Sequence, residues 1–212
     1  KDGLAISYYS GKTKRVSRDR FCEFESHAHD ENEEQHSAKK HFAAKAAAKS
    51  SGTQLRTYRL AVATTGEYGQ FHGGETSSVL SAVTTTINRV VGILEKEMSI
   101  SLVLVDNNDQ ILFTSPTTDP FTGNDDAGVL IDESQAQIDL IIGSENYDVG
   151  HTFSTGAGGL ASLGSVCSAT RKAQGVTGSS QPQGDYFDVD FVAHELGHQF
   201  GGNHTFNGSN GA

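Results

Sequence analysis

HELGHQFGGNH, residues 194–204, is the stretch from which the rest of the chain is best read. His194 and His198 are four residues apart, so on an α-helix they lie about 40° apart on one face and can point at a single ion. Glu195 follows the first histidine directly, which puts a carboxylate beside that ion without making it a ligand. Gly201 stands three residues after His198, where the helix must stop, and glycine turns a chain there without a Cβ penalty. That helix-ending turn brings His204 back toward the same point as a third imidazole.

Three neutral nitrogen donors with an open fourth position describe a catalytic zinc site rather than a structural one, which four protein ligands would close. Zinc lowers the pKa of water at such a site to about 7 and polarises a carbonyl, so the chemistry implied is hydrolysis. Alone, H-E-x-x-H is a weak signal in a chain with 9 histidines; the glycine and third histidine at fixed offsets make it specific. Phe187, Phe191, Val192, Leu196 and Phe200 recur at helical spacing. The Val192–Leu196–Phe200 stripe falls about 160–200° around from the two histidines, so one side can anchor in a core while the other presents the ligands. Asp188 or Asp190 is the expected N-cap.

The full H-E-x-x-H-x-x-G-x-x-H pattern resembles that of the metzincin zinc peptidases. The surroundings resemble the reprolysin (adamalysin-like) branch, particularly bacterial reprolysin-like peptidases. TYRLAVATTGEY at 57–68, YDVGHTFS at 147–154 and GGLASLGSVC at 158–167 carry that likeness. The resemblance implies an α/β fold of zincin-like α+β type: the upper subdomain, a twisted, mostly parallel sheet with an antiparallel edge strand, two long helices and the active-site helix. It implies a secreted zinc-dependent endopeptidase in which His194, His198 and His204 hold Zn²⁺ and Glu195 is general base and then general acid. A structural Ca²⁺ is a further candidate ion. The edge strand would pair with an extended protein or peptide substrate through Gly159, Leu160, Ala161, Ser162 and Leu163. His151, in the YDVGHTF stretch, reads as a structural histidine at the end of a strand and not as a ligand.

Length and charge bound the rest. The 212 residues suffice for one substantial core plus an appended segment, and no apolar run approaches the ~20 residues that span a bilayer. Residues 1–59 carry 12 Lys and Arg against 8 Asp and Glu, net +4, whereas 60–212 carry 4 against 18, net −14. A basic segment leaning on an acidic body suits this division, as does independent solubility of the two parts. So acidic a body does not suit nucleic acid as a partner.

Two domains follow: 1–53, the C-terminal part of a propeptide with its linker, and 54–212, the N-terminal (upper) part of a catalytic domain. KDGLAISYYS and KTKRVSRDR could pair as strands, while 26–53 is linker-like, acidic and then alanine-lysine-rich. Its histidines, His27, His29, His36 and His41, read as solvated, and the lysine-rich 39–49 as an exposed processing site. The body opens with a strand at 55–64, a helix at 77–98 and a strand at 100–106, a βαβ unit that implies a parallel sheet. QILF at 110–113 could extend a hairpin from the second strand. A second helix is expected across 126–138, a strand in 139–154, and an edge strand flanked by loops in the glycine-dense 155–185.

Three features depart from the family pattern. The methionine that metzincins place in a turn beneath the metal has no counterpart here, since the single methionine is Met98 and eight residues follow His204. Truncation inside the catalytic domain is the expected reason. In the resembling family the cysteine after the edge strand bonds to one in the lower subdomain, so Cys167 is expected to find its partner there; Cys22 is the alternative. Cys22, within the basic segment, could also ligate the metal and hold a zymogen latent through its own propeptide, although RFCEFE matches no familiar switch sequence. A reading of another class stays open beside the enzyme: a zinc-bearing module that binds peptide along the glycine-rich edge and cuts nothing.

Overall fold

The computed structural model describes residues 54–156 and 158–204. The expectations for 1–53, among them Cys22, the linker histidines and the processing site, lie outside the described residues.

Strand β1 (Arg56–Thr64) leads through a short helix α1 (Gly66–Phe71) into the long helix α2 (Thr76–Met98) and strand β2 (Ile100–Leu104). Helix α3 (Ala127–Ile141) is followed by β3 (Val149–Ser154), β4 (Gly159–Ala161) and β5 (Gly175–Gly178). The five strands form one sheet in the order β2-β1-β3-β5-β4. All neighbours are parallel except β4, which runs antiparallel to β5 on the edge. This is the mostly parallel sheet with an antiparallel edge strand and long helices that the sequence implied.

Alternation along β1 explains why both sides of the sheet are covered. Leu60 and Val62 face a core built with Val79, Val83, Ile87, Val90 and Leu94 of α2. Ala61 and Ala63 face the opposite core, with Leu130, Ile131 and Ile138 of α3. A strand buried on both faces reads as a continuous apolar run, which LAVA is. By length and composition α2 could cross a bilayer, but its apolar stripe is committed to this core. Helix α3 starts on Asp126, whose carboxylate accepts from the amides of Gly128 and Val129 and so satisfies donors that a helix N-terminus leaves over.

Two local expectations are corrected. QILF makes no hairpin: Asn108–Ile111 is a single 3₁₀ turn, and Leu112 makes one parallel bridge to Thr64. The reason is Asn108, buried with its amide paired to both backbone groups of Val62, which pins the segment across β1. The active-site helix is the second. Neither Asp188 nor Asp190 caps it, because its first turns are a π-helical stretch, Tyr186–Val192, flowing into α4 (Ala193–Gln199).

The wider π turn has a packing consequence. Phe187 and Val192 are five apart, about 140° apart on a regular α-helix, yet both are fully buried in the α2-side core. Asp188 is released toward α2, where it accepts from Thr86 Oγ1 at 2.7 Å and Arg89 Nη1 at 2.6 Å. Arg89 also pairs with Asp185, so one guanidinium holds both ends of the first π turn.

Candidate active site

The apolar stripe does what its spacing predicted. Phe187, Val192 and Leu196 sit in the α2-side core and Phe200 packs against it, edge-on to Tyr58. With that face anchored, His194 and His198 lie on the other side of the helix, His194 exposed and His198 buried.

The helix ends where the glycine predicts. Gly201 has φ +92°, its amide donates to His198 O at 2.8 Å, and the Gly202 amide reaches back to Gly197 O at 2.9 Å. This pair of bonds is the Schellman arrangement, which needs a left-handed residue at the turn. The loop after the edge strand reinforces the same end, with Gly164 N donating to His198 O (3.0 Å) and Val166 N to Gln199 O (3.3 Å).

The turn brings His204 back to the pair. His194 Nε2 lies 3.0 Å from His198 Nε2, and His204 Nε2 is 3.1 Å from each. Three ring nitrogens converge at the corners of a nearly equilateral triangle. A tetrahedral metal with bonds of about 2.0–2.1 Å separates two nitrogen ligands by about 3.3–3.4 Å, so this triangle is within a few tenths of an ångström of a zinc set. The donor chemistry agrees. His198 Nδ1 donates to Gly202 O at 2.6 Å, which fixes the tautomer and leaves Nε2 as a lone pair turned to the shared centre. Burial, together with the charge of its neighbours, holds the pKa of His194 below the usual imidazole value, and burial and His198 do the same to His204. Both effects favour the neutral rings that a metal requires. Among the described residues no other group of three or more His, Cys, Asp or Glu side chains converges in this way, and none gathers for the structural Ca²⁺ considered from sequence.

Glu195 is fully buried beneath the edge strand. Leu160 faces the α3-side core, so Gly159 and Ala161 face the helix, and a Cβ at Gly159 would overlap Glu195 Oε1 and the Phe191 ring. The carboxylate therefore lies directly against the strand backbone.

Along the expected substrate stretch, bonds Ser162 N→Gln174 O and Gly178 N→Gly158 O define the bonded pairs. By the alternation of an antiparallel ladder Leu160 directs its backbone groups to Val176, while Gly159 and Ala161 direct theirs to the outer edge. Ser162 is buried with its hydroxyl on Gln174 Oε1, and Leu163 is half-buried.

A model of the reprolysin-like metallopeptidases of family M12B matches residues 54–212. The chain belongs to the reprolysin-like M12B family. It is thus by family a zinc metallopeptidase, a hydrolase whose substrates are proteins or peptides. No curated protein sequence matches the chain.

The rest of this reprolysin-like site joins a histidine already read as structural to groups whose roles sequence reasoning passed over. His151 is the third residue of β3, not its end, and is fully buried with both nitrogens bonded, to Gln199 Oε1 and Thr177 Oγ1, each at 2.8 Å. As expected, it is not among the converging ligands. Gln199 stands inside the histidine motif but was given no role there, Asp188 was read only as a helix cap, and Thr177 and Arg89 carried no signal in one sequence. Cys167 is exposed at φ +63° and has no disulfide partner among the described residues.

Proposed function

We propose that the protein is a secreted zinc endopeptidase in which His194, His198 and His204 hold the metal and Glu195 moves the protons. The observation that carries this reading is the convergence of three Nε2 atoms at 3.0–3.1 Å next to a buried carboxylate under a strand with an open edge. Zinc, when bound there, supplies Lewis acidity toward the scissile carbonyl and makes water acidic enough to react near neutral pH.

The chain's own groups do the rest. An extended substrate lies antiparallel to β4 and takes its backbone bonds from the outward groups of Gly159 and Ala161, which fixes the scissile bond over the histidines. Glu195 accepts the proton of the attacking water and returns it to the leaving amine nitrogen; one carboxylate serves both steps because it lies between the strand and the ligand face. Residues 1–53 act as the end of a propeptide, for which the start of the family match at 54 and the change of charge give support.

Glu195→Ala in the full-length protein tests the reading. The variant should retain one zinc per chain and lose peptide cleavage by several orders of magnitude. Retained cleavage contradicts the mechanism. The alternative, a peptide-binding module that cuts nothing, predicts instead that wild type and variant bind peptide alike and neither hydrolyses it.

A further inference from the structure

The buried polar chain behind the helix lies outside the catalytic steps just described. Thr177 on β5 contacts His151 on β3, and His151 contacts Gln199, the last residue of α4 and the neighbour of His198. All three residues are fully buried. Gln199 Nε2 donates to Gly150 O at 2.9 Å and Lys172 O at 3.3 Å, so its Oε1 can only accept, and His151 Nδ1 must be the donor. In the neutral ring Nε2 is then an acceptor, filled by the Thr177 hydroxyl. Every link has one polarity. There is no slack: a Cβ at Gly175 would overlap Gln199 Oε1 and stand 2.7 Å from His151 Nδ1.

The chain joins two parts of the site. Thr177 is the cross-strand partner of Gly159, which lies on Glu195, and Gln199 follows His198 directly. The strand beneath the edge and the C-terminal turn of the ligand helix are thereby locked at one separation.

We propose that Thr177, His151 and Gln199 are positioning residues for the zinc site, a directional hydrogen-bond tie that holds His198 and Glu195 in register with the edge strand. This rests on the zinc-peptidase reading above. The tie acts through the helix end and not through contact with the metal. A bond made directly to a ligand's ring alters metal affinity or activity by about 10–100-fold when lost, and this tie, which reaches His198 only through the helix backbone, is expected at the lower end of that range.

The test compares Thr177→Val, Thr177→Ser and Gln199→Leu in the full chain. Valine preserves the shape of threonine and loses the hydroxyl, whereas serine keeps the hydroxyl and loses a methyl. Zinc affinity is read by chelator competition, ligand geometry by the visible absorption of the Co²⁺-loaded protein, and turnover by kcat and KM separately. Thr177→Val and Gln199→Leu should bind zinc about tenfold more weakly, shift the Co²⁺ spectrum and lower kcat with little change in KM, while Thr177→Ser stays within about twofold of wild type. If Thr177→Val matches wild type, or Thr177→Ser loses as much as Thr177→Val, packing governs and the proposal is overturned. Should Gln199→Leu fail to fold, the valine–serine contrast decides. A wild-type chain that takes up no zinc overturns the peptidase reading as well; normal wild-type zinc with indifferent variants overturns this proposal alone.

Discussion

Lowering the pH should destabilise this protein in part through one buried imidazole. Burial pushes His151 down from 6.5 to about 4, against a smaller upward pull from its bond to Gln199. Each tenfold change in proton affinity is worth about 1.4 kcal/mol, so charging the buried ring costs up to about 3 kcal/mol more than charging the same histidine in the unfolded chain. Between about pH 6.5 and 4 the unfolded state binds the proton and the folded state does not. The penalty is therefore absent above the unfolded value and grows, lowering stability, as the pH falls toward the folded one. Urea titrations of the zinc-free full chain at steps from about pH 7.5 to about pH 4 measure it, with His151→Gln, which bonds but does not titrate, as the reference. His72, His194 and His204 titrate in both proteins and cancel. Wild type should lose about 3 kcal/mol more than the variant across that window. Parallel curves for the two proteins would refute the assignment of a neutral, desolvated His151.

Gly159→Ala should leave zinc content unchanged and reduce kcat by about tenfold or more, because the new methyl group displaces Glu195 Oε1; metal analysis beside steady-state kinetics checks it. Arg89→Ala strips the buried Asp188 carboxylate of its cation and should cost about 2 kcal/mol by chemical denaturation, with Thr86 still donating to the same carboxylate.

What was legible in the sequence follows from which forces leave a periodic trace. The histidine and glycine offsets in 194–204 encode both a helix face and its termination, so the converging Nε2 atoms and the left-handed Gly201 could be anticipated. Helix α2 and strands β1 and β2 were equally readable, since amphipathic spacing over 77–98 and apolar runs on either side admit one packing. The π turn was not, because Phe187 with Phe191 and Val192 with Leu196 and Phe200 each keep helical spacing, and the shared burial of Phe187 and Val192 shows only in the fold. Asn108 overrode the strand propensity of QILF through two bonds to a residue 46 positions away. His151 was recognised as structural, yet its partners lie 26 and 48 residues off, and long-range pairing of that kind leaves no local pattern.

Metal binding by the imidazole triad is the claim on which the rest depends, and X-ray absorption at the zinc edge on the reconstituted full chain measures it most directly. The expected result is one zinc per chain with three imidazole nitrogens at about 2.0–2.1 Å and a non-protein oxygen as the fourth neighbour, all lost in His198→Ala. Zinc bound substoichiometrically, unaffected by His198→Ala, or enclosed by four protein ligands in the processed protein would contradict it.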